Sequence, residues 1–145
     1  MSVMEVTEIM EVLPHRYPFQ MVDRIIEMDM ETGRVVGIKN VTNNELYFQG
    51  HFPGNPVMPG VLQMEAMAQV AGVMLNSRDG NQGKTAYFMS MNKVKFRKMV
   101  IPGDQLRIEV VPVRMRSRMA TVAGKAYVGD DLVSEGELTF GYGAE

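Results

Sequence analysis

The sequence contains no cysteine and only two histidines among its 145 residues, and both scarcities limit its chemistry. Without cysteine the chain has no disulfide, no thiolate metal ligand and no cysteine nucleophile, which suits a reducing cytoplasm. His15 and His51 are the only imidazoles that could exchange protons near neutral pH. Two imidazoles without a thiolate do not favour a zinc site, and we predict neither a metal nor another cofactor.

Long apolar runs and an excess of positive charge are also missing. No stretch is long enough to span a membrane, and the first segment, MSVMEVTEIMEV, lacks the basic region of a signal peptide. Fifteen Lys and Arg against seventeen Asp and Glu give a net charge of -2, which does not favour nucleic acid or an anionic membrane as a partner. We therefore expect a single cytoplasmic domain over residues 1–145.

Methionine, by contrast, occurs fifteen times. Its flexible thioether suits both an adaptable core and the lining of an apolar ligand site. Core filling is the simpler interpretation of these methionines.

Hydrophobic spacing predicts two helices. Apolar residues recur at helical intervals over residues 5 to 13, and Pro14 ends this first helix. The second, over residues 60 to 76 (GVLQMEAMAQVAGVMLN), is apolar almost all round, so we expect it to be buried. Residues 42 to 60 lead into it as an irregular segment with three prolines and three glycines, and such long loops are often functional.

The remaining segments predict strands separated by turns and by a polar loop at residues 77 to 83. The first two form a hairpin across Glu31-Thr32-Gly33. The predicted strands cover residues 21–28, 34–41, 85–91, 94–99, 105–116, 119–128 and 132–140. One buried helix and a run of antiparallel strands predict an α+β domain with the helix against one face of the sheet.

Glu65 is the only charged residue of the long helix. A buried carboxylate without a partner is costly, and it responds by raising its pKa and staying protonated. A protonated carboxyl group in a dry site is suited to general acid catalysis. A hydrogen bond from Gln63 or Gln69 could equally satisfy the carboxylate, which leaves a purely structural role open.

His51 lies in GHFPGNPVMPG, where glycines and prolines fix a path directly into the helix that carries Glu65. A histidine held in this way is a candidate base. The helix begins at Gly60, whose free backbone N–H suits a developing negative charge on a thioester oxygen. A base, an acid and an oxyanion site are what the elimination of water beside a thioester requires. No serine lies in a G-x-S-x-G context, so a serine hydrolase is not indicated.

Three blocks of the chain resemble one enzyme family. They are LPHRYPFQMVDR at 13–24, NVTNNELYFQGHFPGNPVMPGVLQMEAMAQ at 40–69 and NKVKFRKMVIPGDQL at 92–106. The sequence is similar to the FabZ-type (3R)-hydroxyacyl-[acyl-carrier-protein] dehydratases of fatty acid synthesis. The central block is long and specific.

The resemblance implies a hot-dog fold, in which an antiparallel sheet wraps around a long central helix. It also implies that His51 and Glu65 are catalytic and face each other across a dimer interface, commonly in a trimer of dimers. The implied substrate is a phosphopantetheine-linked acyl chain on acyl carrier protein. A related bifunctional dehydratase/isomerase group carries aspartate at the position of Glu65, so glutamate implies no isomerase activity.

Further site residues are predicted with less support from the pattern. We expect the backbone N–H of Gly60 to bind the thioester oxygen, and Phe52 and Val61 to contact the substrate. His15 matches the family block, and we expect it to make a structural hydrogen bond. Candidate positions for docking the acidic carrier protein are basic: Lys93, Lys95, Arg97, Lys98, Arg114, Arg116 and Arg118.

Two other functions remain open at this level. A hot-dog thioesterase or CoA-dependent hydratase would use a similar fold, and a thioesterase would release free thiol. A non-catalytic module that binds acyl thioesters would need substitutions at His51 or Glu65, and both residues are intact.

Overall fold

The computed structural model describes residues 3–78 and 84–142. Part of the predicted loop over residues 77 to 83 lies outside the described residues. In chain order the elements are α1 (Val6–Val12), β1 (Arg24–Met28), β2 (Val35–Asn40), a 3₁₀ helix (Leu46–Gln49), α2 (Gly60–Asn76), β3 (Ala86–Phe96), β4 (Gln105–Met115), β5 (Met119–Val128) and β6 (Asp131–Tyr142).

The six strands form one antiparallel sheet in the order β1-β2-β4-β5-β6-β3. Helix α2 packs against β2, β3, β4, β5 and β6, so the sheet encloses it on one side. The predicted α+β architecture is confirmed. No helix among residues 3–78 and 84–142 is long and apolar enough to cross a membrane.

Close packing between α2 and the sheet depends on small residues in the strands. A Cβ atom on Gly37 would lie 2.7 Å from Val70, and one on Gly124 would lie 2.9 Å from the Met67 sulfur. Met64, Met67 and Met74 are all fully buried in this layer. Core filling therefore accounts for these methionines, as the simpler interpretation predicts.

The predicted hairpin is present as β1 and β2. Its turn is closed by Asp29, whose carboxylate accepts hydrogen bonds from the backbone N–H groups of Glu31 and Thr32. Gly33 has a φ of 81°, which a residue with a side chain would adopt only with strain. Strand β1 begins at Arg24, later than predicted, because the backbone N–H of Met21 is bonded to the Gln69 side chain instead of to a strand.

The two strands predicted over residues 85–91 and 94–99 are wrong: the structure has one strand, β3, with a bulge at the expected break. Asn92 pairs with Glu137 and Lys95 with Glu135, so β3 holds one extra residue between these pairs. Lys93, inside the bulge, has a φ of 54°. The bulge interrupts the alternation of side chains, which is why the sequence pattern indicates two strands.

Candidate active site

His51 is held by the backbone of the loop that precedes α2. Its N–H donates to the Tyr47 carbonyl at 3.0 Å, and its own carbonyl accepts from the Val57 N–H at 3.0 Å. The ring nitrogen Nδ1 lies 2.6 Å from the Val57 carbonyl oxygen. The prolines and glycines of GHFPGNPVMPG thus form a tight loop in which both backbone and ring are fixed.

The contact to Val57 also determines which ring nitrogen of His51 can act as a base. A carbonyl oxygen only accepts hydrogen bonds, so Nδ1 carries the proton in this contact. In the neutral ring Nε2 then holds the free lone pair. Phe52 stacks on the ring with a centroid distance of 4.0 Å and is half exposed. In this orientation Nε2 is the ring nitrogen of His51 that can accept a proton.

Helix α2 begins directly beside this loop. Pro59 is the residue before its first turn and has no side chain that could cap it. Within residues 3–78 and 84–142, the backbone N–H groups of Gly60 and Val61 make no hydrogen bond. A Cβ on residue 60 would lie 2.7 Å from the Phe96 ring, so glycine lets Phe96 cover this turn. Two free donors at the positive end of a helix can hold an oxyanion.

His51 and the start of α2 share a cavity of about 470 Å³, called here the His51 cavity. Its lining is mostly apolar and includes Met58, Phe96 and Met99. Val61, predicted to contact substrate, lines it as well and is 65% exposed. Phe52 is not among the lining residues and reaches the site only through its stacking on His51.

Glu65 lies about one and a half turns further along α2. Its side chain is largely buried, and desolvation is the main cause that raises the pKa of its carboxyl group. A hydrogen bond from Gln69 and the nearby His15 ring oppose this shift. Because the net direction is upward, Glu65 holds its proton to higher pH than an ordinary glutamate, as a general acid requires.

Gln69 anchors the Glu65 side chain. Its Nε2 donates to Glu65 Oε2 at 2.8 Å and to the Phe19 carbonyl at 2.8 Å, and its Oε1 accepts from the Met21 N–H at 2.7 Å. Both N–H groups of the Gln69 amide donate hydrogen bonds, and its oxygen accepts one, which leaves one lone pair of the oxygen without a partner among these contacts. The hydrogen bond from Gln69 to Glu65, which would explain a purely structural role, is therefore present. Glu65 nevertheless lines a cavity.

This second cavity, called here the Glu65 cavity, has a volume of about 280 Å³. Its walls come from α2, the loop before β1, and strands β3 and β6. They are mainly apolar and include the aromatic rings of Phe19, Tyr87, Phe88 and Phe140. A carboxyl group at the side of such a cavity can meet a polar group on an otherwise apolar chain.

His51 and Glu65 do not meet within one chain. The two cavities share no lining residue. The five positions from Gly60, which lines the His51 cavity, to Glu65 correspond to a rotation of about 140° around the helix, so these two positions face different sides of α2. The structure thus gives each residue a cavity of its own.

His15, for which the sequence predicts a structural hydrogen bond, lies beside Glu65. Its Nε2 lies 3.6 Å from Glu65 Oε2, and its ring lines the Glu65 cavity. This distance is longer than a normal hydrogen bond, and within the described residues its buried Nδ1 has no hydrogen-bond partner. The predicted structural hydrogen bond is therefore wrong, and proximity to Glu65 is what the structure shows instead.

Three basic residues in β3 or just after its end lie opposite carboxylates of the neighbouring strand β6. Lys93 pairs with Glu137 at 3.6 Å, Arg97 pairs with Glu135, and Lys98 lies 3.1 Å from Asp131 at the start of β6. Such exposed pairs contribute little stability and can rearrange. Arg97 and Lys98 also line the His51 cavity, whereas Lys93 and Lys95 do not.

An antiparallel sheet around one buried helix defines a hot-dog protein, and His51 and Glu65 each lie beside an apolar cavity of this fold. The sequence profile of FabA-like domains matches residues 13–137. The chain belongs to the FabA-like family.

Curated relatives agree with this assignment, and a solved structure shares the fold. The chain is 60% identical over 137 residues to 3-hydroxyacyl-[acyl-carrier-protein] dehydratase FabZ of Geotalea uraniireducens, covering 93% of this chain and 94% of the relative. It is 51% identical to the Streptococcus pneumoniae protein of the same name, covering 96% and 98%. The dehydratase heterocomplex ApeI:P from Xenorhabdus doucetiae shares the fold with a TM-score of 0.79 at 16% identity, covering 94% of this chain and 91% of that one.

Proposed function

We propose that this protein dehydrates (3R)-hydroxyacyl groups carried on acyl carrier protein, giving trans-2-enoyl thioesters for fatty acid synthesis. The family and the names of its relatives support the reaction and the carrier. The observation that carries the proposal is the presence of an oriented histidine and a protonatable, buried glutamate, each beside an apolar cavity.

In this proposal His51 removes the proton from the carbon next to the thioester carbonyl. The electron pair forms the new carbon–carbon double bond as the hydroxyl group leaves. Glu65 gives its proton to that hydroxyl, which departs as water. The free N–H groups of Gly60 and Val61 hold the thioester oxygen while negative charge develops on it. Bonds and protons balance in this scheme without a metal or another cofactor.

We further propose that His51 of one subunit acts with Glu65 of another in a homodimer. Separate cavities within one chain support this arrangement, because neither cavity holds both residues. Strand β3 is at the edge of the sheet and exposes Tyr87, Phe88, Met89 and Met91. An edge strand with exposed apolar side chains favours association with another chain. A second copy of this chain would bury these side chains by pairing β3 with β3.

Assembly of dimers into a trimer of dimers, and a cytoplasmic location, stay predictions. So does docking of the acidic carrier protein on the basic residues. The positions of Arg97 and Lys98 beside the His51 cavity favour them over Lys93 and Lys95 as contacts near the point where the carrier arm enters.

The reverse reaction gives a direct test. Purified protein should hydrate a short trans-2-enoyl thioester, with loss of the enoyl absorbance and without release of free thiol. His51→Ala and Glu65→Gln should each reduce turnover by about 10²- to 10⁴-fold, the usual contribution of a general acid or base. Release of thiol by the wild-type protein would instead support a thioesterase, and near-normal hydration by either variant would contradict the proposed roles.

A further inference from the structure

Gln63 is a buried polar side chain that the proposed reaction does not use. It lies on α2 between Gly60 and Glu65 and is only 3% exposed. Within residues 3–78 and 84–142, its side chain makes no hydrogen bond, and its Oε1 is buried without a partner. A buried amide without partners costs free energy, so its presence requires an explanation.

The other buried amides of α2 show how this helix normally satisfies such groups. Gln69 makes three hydrogen bonds, to Phe19, Met21 and Glu65. The Asn76 Nδ2 group donates to the carbonyl groups of Val12 and Lys84, although within the described residues its Oδ1 has no partner. Gln63 alone of the three makes none, so packing of the helix against its neighbours does not account for it.

The position of Gln63 at a cavity suggests that a bound molecule is its hydrogen-bond partner. Gln63 lines the His51 cavity, together with His51, Gly60 and the apolar residues Met58 and Phe96. In this mostly apolar space an amide is a polar group that a bound molecule could satisfy. Gln63 follows Gly60 by three residues, which is about 4.5 Å along the axis of the helix.

The chemistry of the side chain narrows the class of ligand group. A carboxamide is neutral and offers N–H donors on one side and a carbonyl acceptor on the other. A phosphate or carboxylate would favour a cation instead. A secondary amide carries one donor and one acceptor, so it can pair with a carboxamide in either orientation of the Gln63 side chain.

We infer that Gln63 binds a secondary amide of the pantetheine arm that carries the acyl group, an inference that rests on the proposed function. In the arm the first amide lies two methylene groups from the thioester sulfur. When the thioester oxygen is held by the backbone N–H of Gly60, this amide is within reach of Gln63 on the same wall of the cavity. Gln63 is therefore a specificity-determining residue, which recognises the carrier arm and not the acyl chain.

The test compares two crotonyl thioesters in the hydration assay. One is the N-acetylcysteamine thioester, which retains the first amide, and the other is the S-pentyl thioester, in which methylene groups replace it. The measured quantity is the ratio of the two kcat/KM values. Wild-type protein should prefer the amide-bearing thioester by about 10-fold, the effect of one satisfied hydrogen bond in a buried site.

Gln63→Met keeps the length of the side chain and removes the amide. In this variant the ratio should fall to near one, while its Tm should rise because an unsatisfied buried amide has been replaced by an apolar group. Gln105→Met, which removes an exposed glutamine of β4, should keep the wild-type ratio.

Three outcomes would overturn the inference. A wild-type ratio of one would show that the amide is not recognised. An unchanged ratio in Gln63→Met would show that another group recognises it, and an equal fall for both thioesters with a lower Tm would indicate a structural role. If wild-type protein hydrates neither thioester, the proposed function itself fails, which the first measurement of the series reveals.

Discussion

The Gln69 side chain donates a 2.8 Å hydrogen bond to Glu65 Oε2 while its other polar atoms are bonded to the chain before β1. Gln69 thereby links the orientation of Glu65 to the loop that carries His15 and Phe19. Burial raises the pKa of Glu65, and this hydrogen bond partly offsets the shift because it favours the charged carboxylate.

Gln69→Met should therefore affect both stability and the pH profile. The backbone groups of Phe19 and Met21 would lose their partners, at a cost of about 2–3 kcal/mol in the free energy of unfolding. The pKa of Glu65 should rise further, so in the dehydration direction, where Glu65 must be protonated, the limb of the activity profile that falls with increasing pH should move to higher pH. Denaturant unfolding and a kcat profile check the two effects. A loss of stability without any movement of that limb would show that Gln69 does not influence Glu65.

Glu65→Gln should stabilise the protein at neutral pH although it removes activity. The pKa of Glu65 is raised in the folded state, so folding favours the protonated form. Stability is therefore lost as pH rises from the ordinary glutamate pKa through the raised value, and the wild-type protein carries this penalty above it. Gln at this position can still accept the hydrogen bond from Gln69.

The check is the difference in unfolding free energy between Glu65→Gln and wild type across pH. It should be small in acid, grow as pH increases and become constant at higher pH. A difference that does not depend on pH would contradict the upward shift of the Glu65 pKa.

Lys39 and Glu45 form an ion pair beside the loop that leads to His51. Lys39 lies on β2 and is 4% exposed, and Glu45 precedes the 3₁₀ helix Leu46–Gln49. Lys39→Met should destabilise the protein by about 3 kcal/mol, because Glu45 would keep a largely buried charge without its partner.

The double variant Lys39→Met/Glu45→Leu tests the cause of that loss. It should recover most of the stability in chemical denaturation, since removing both members of a buried pair is often nearly neutral. A double variant that is as unstable as Lys39→Met alone would show that packing, and not the unpaired charge, explains the effect.

Much of the fold follows from local patterns in the sequence. The bounds predicted for α2, residues 60 to 76, agree with the structure because its apolar character begins after Pro59 and ends at a polar loop. The bulge at Lys93 could not be predicted, because pairing between β3 and β6 determines where the extra residue is accommodated.

The site was only partly predictable for a similar reason. Glu65 stands out as a charge on an apolar helix, and His51 as a histidine in a rigid loop. The place of His15 beside Glu65 depends on how the loop before β1 packs on α2, and no local pattern reports it. The sequence indicates Gln63 only as a possible hydrogen-bond partner of Glu65, because the isolation of its side chain from other polar groups depends on the three-dimensional packing.

The central claim, that His51 and Glu65 of different subunits form one site, is tested most directly by mixing two inactive variants. His51→Ala and Glu65→Gln are unfolded together and refolded, so that subunits pair at random in a two-fold dimer. Half of the dimers then contain both variants, and each of these has one site with an intact pair. Hydration should recover to about one quarter of the wild-type rate. A mixture that stays as inactive as its two components, with mixed dimers demonstrated, would contradict a shared site.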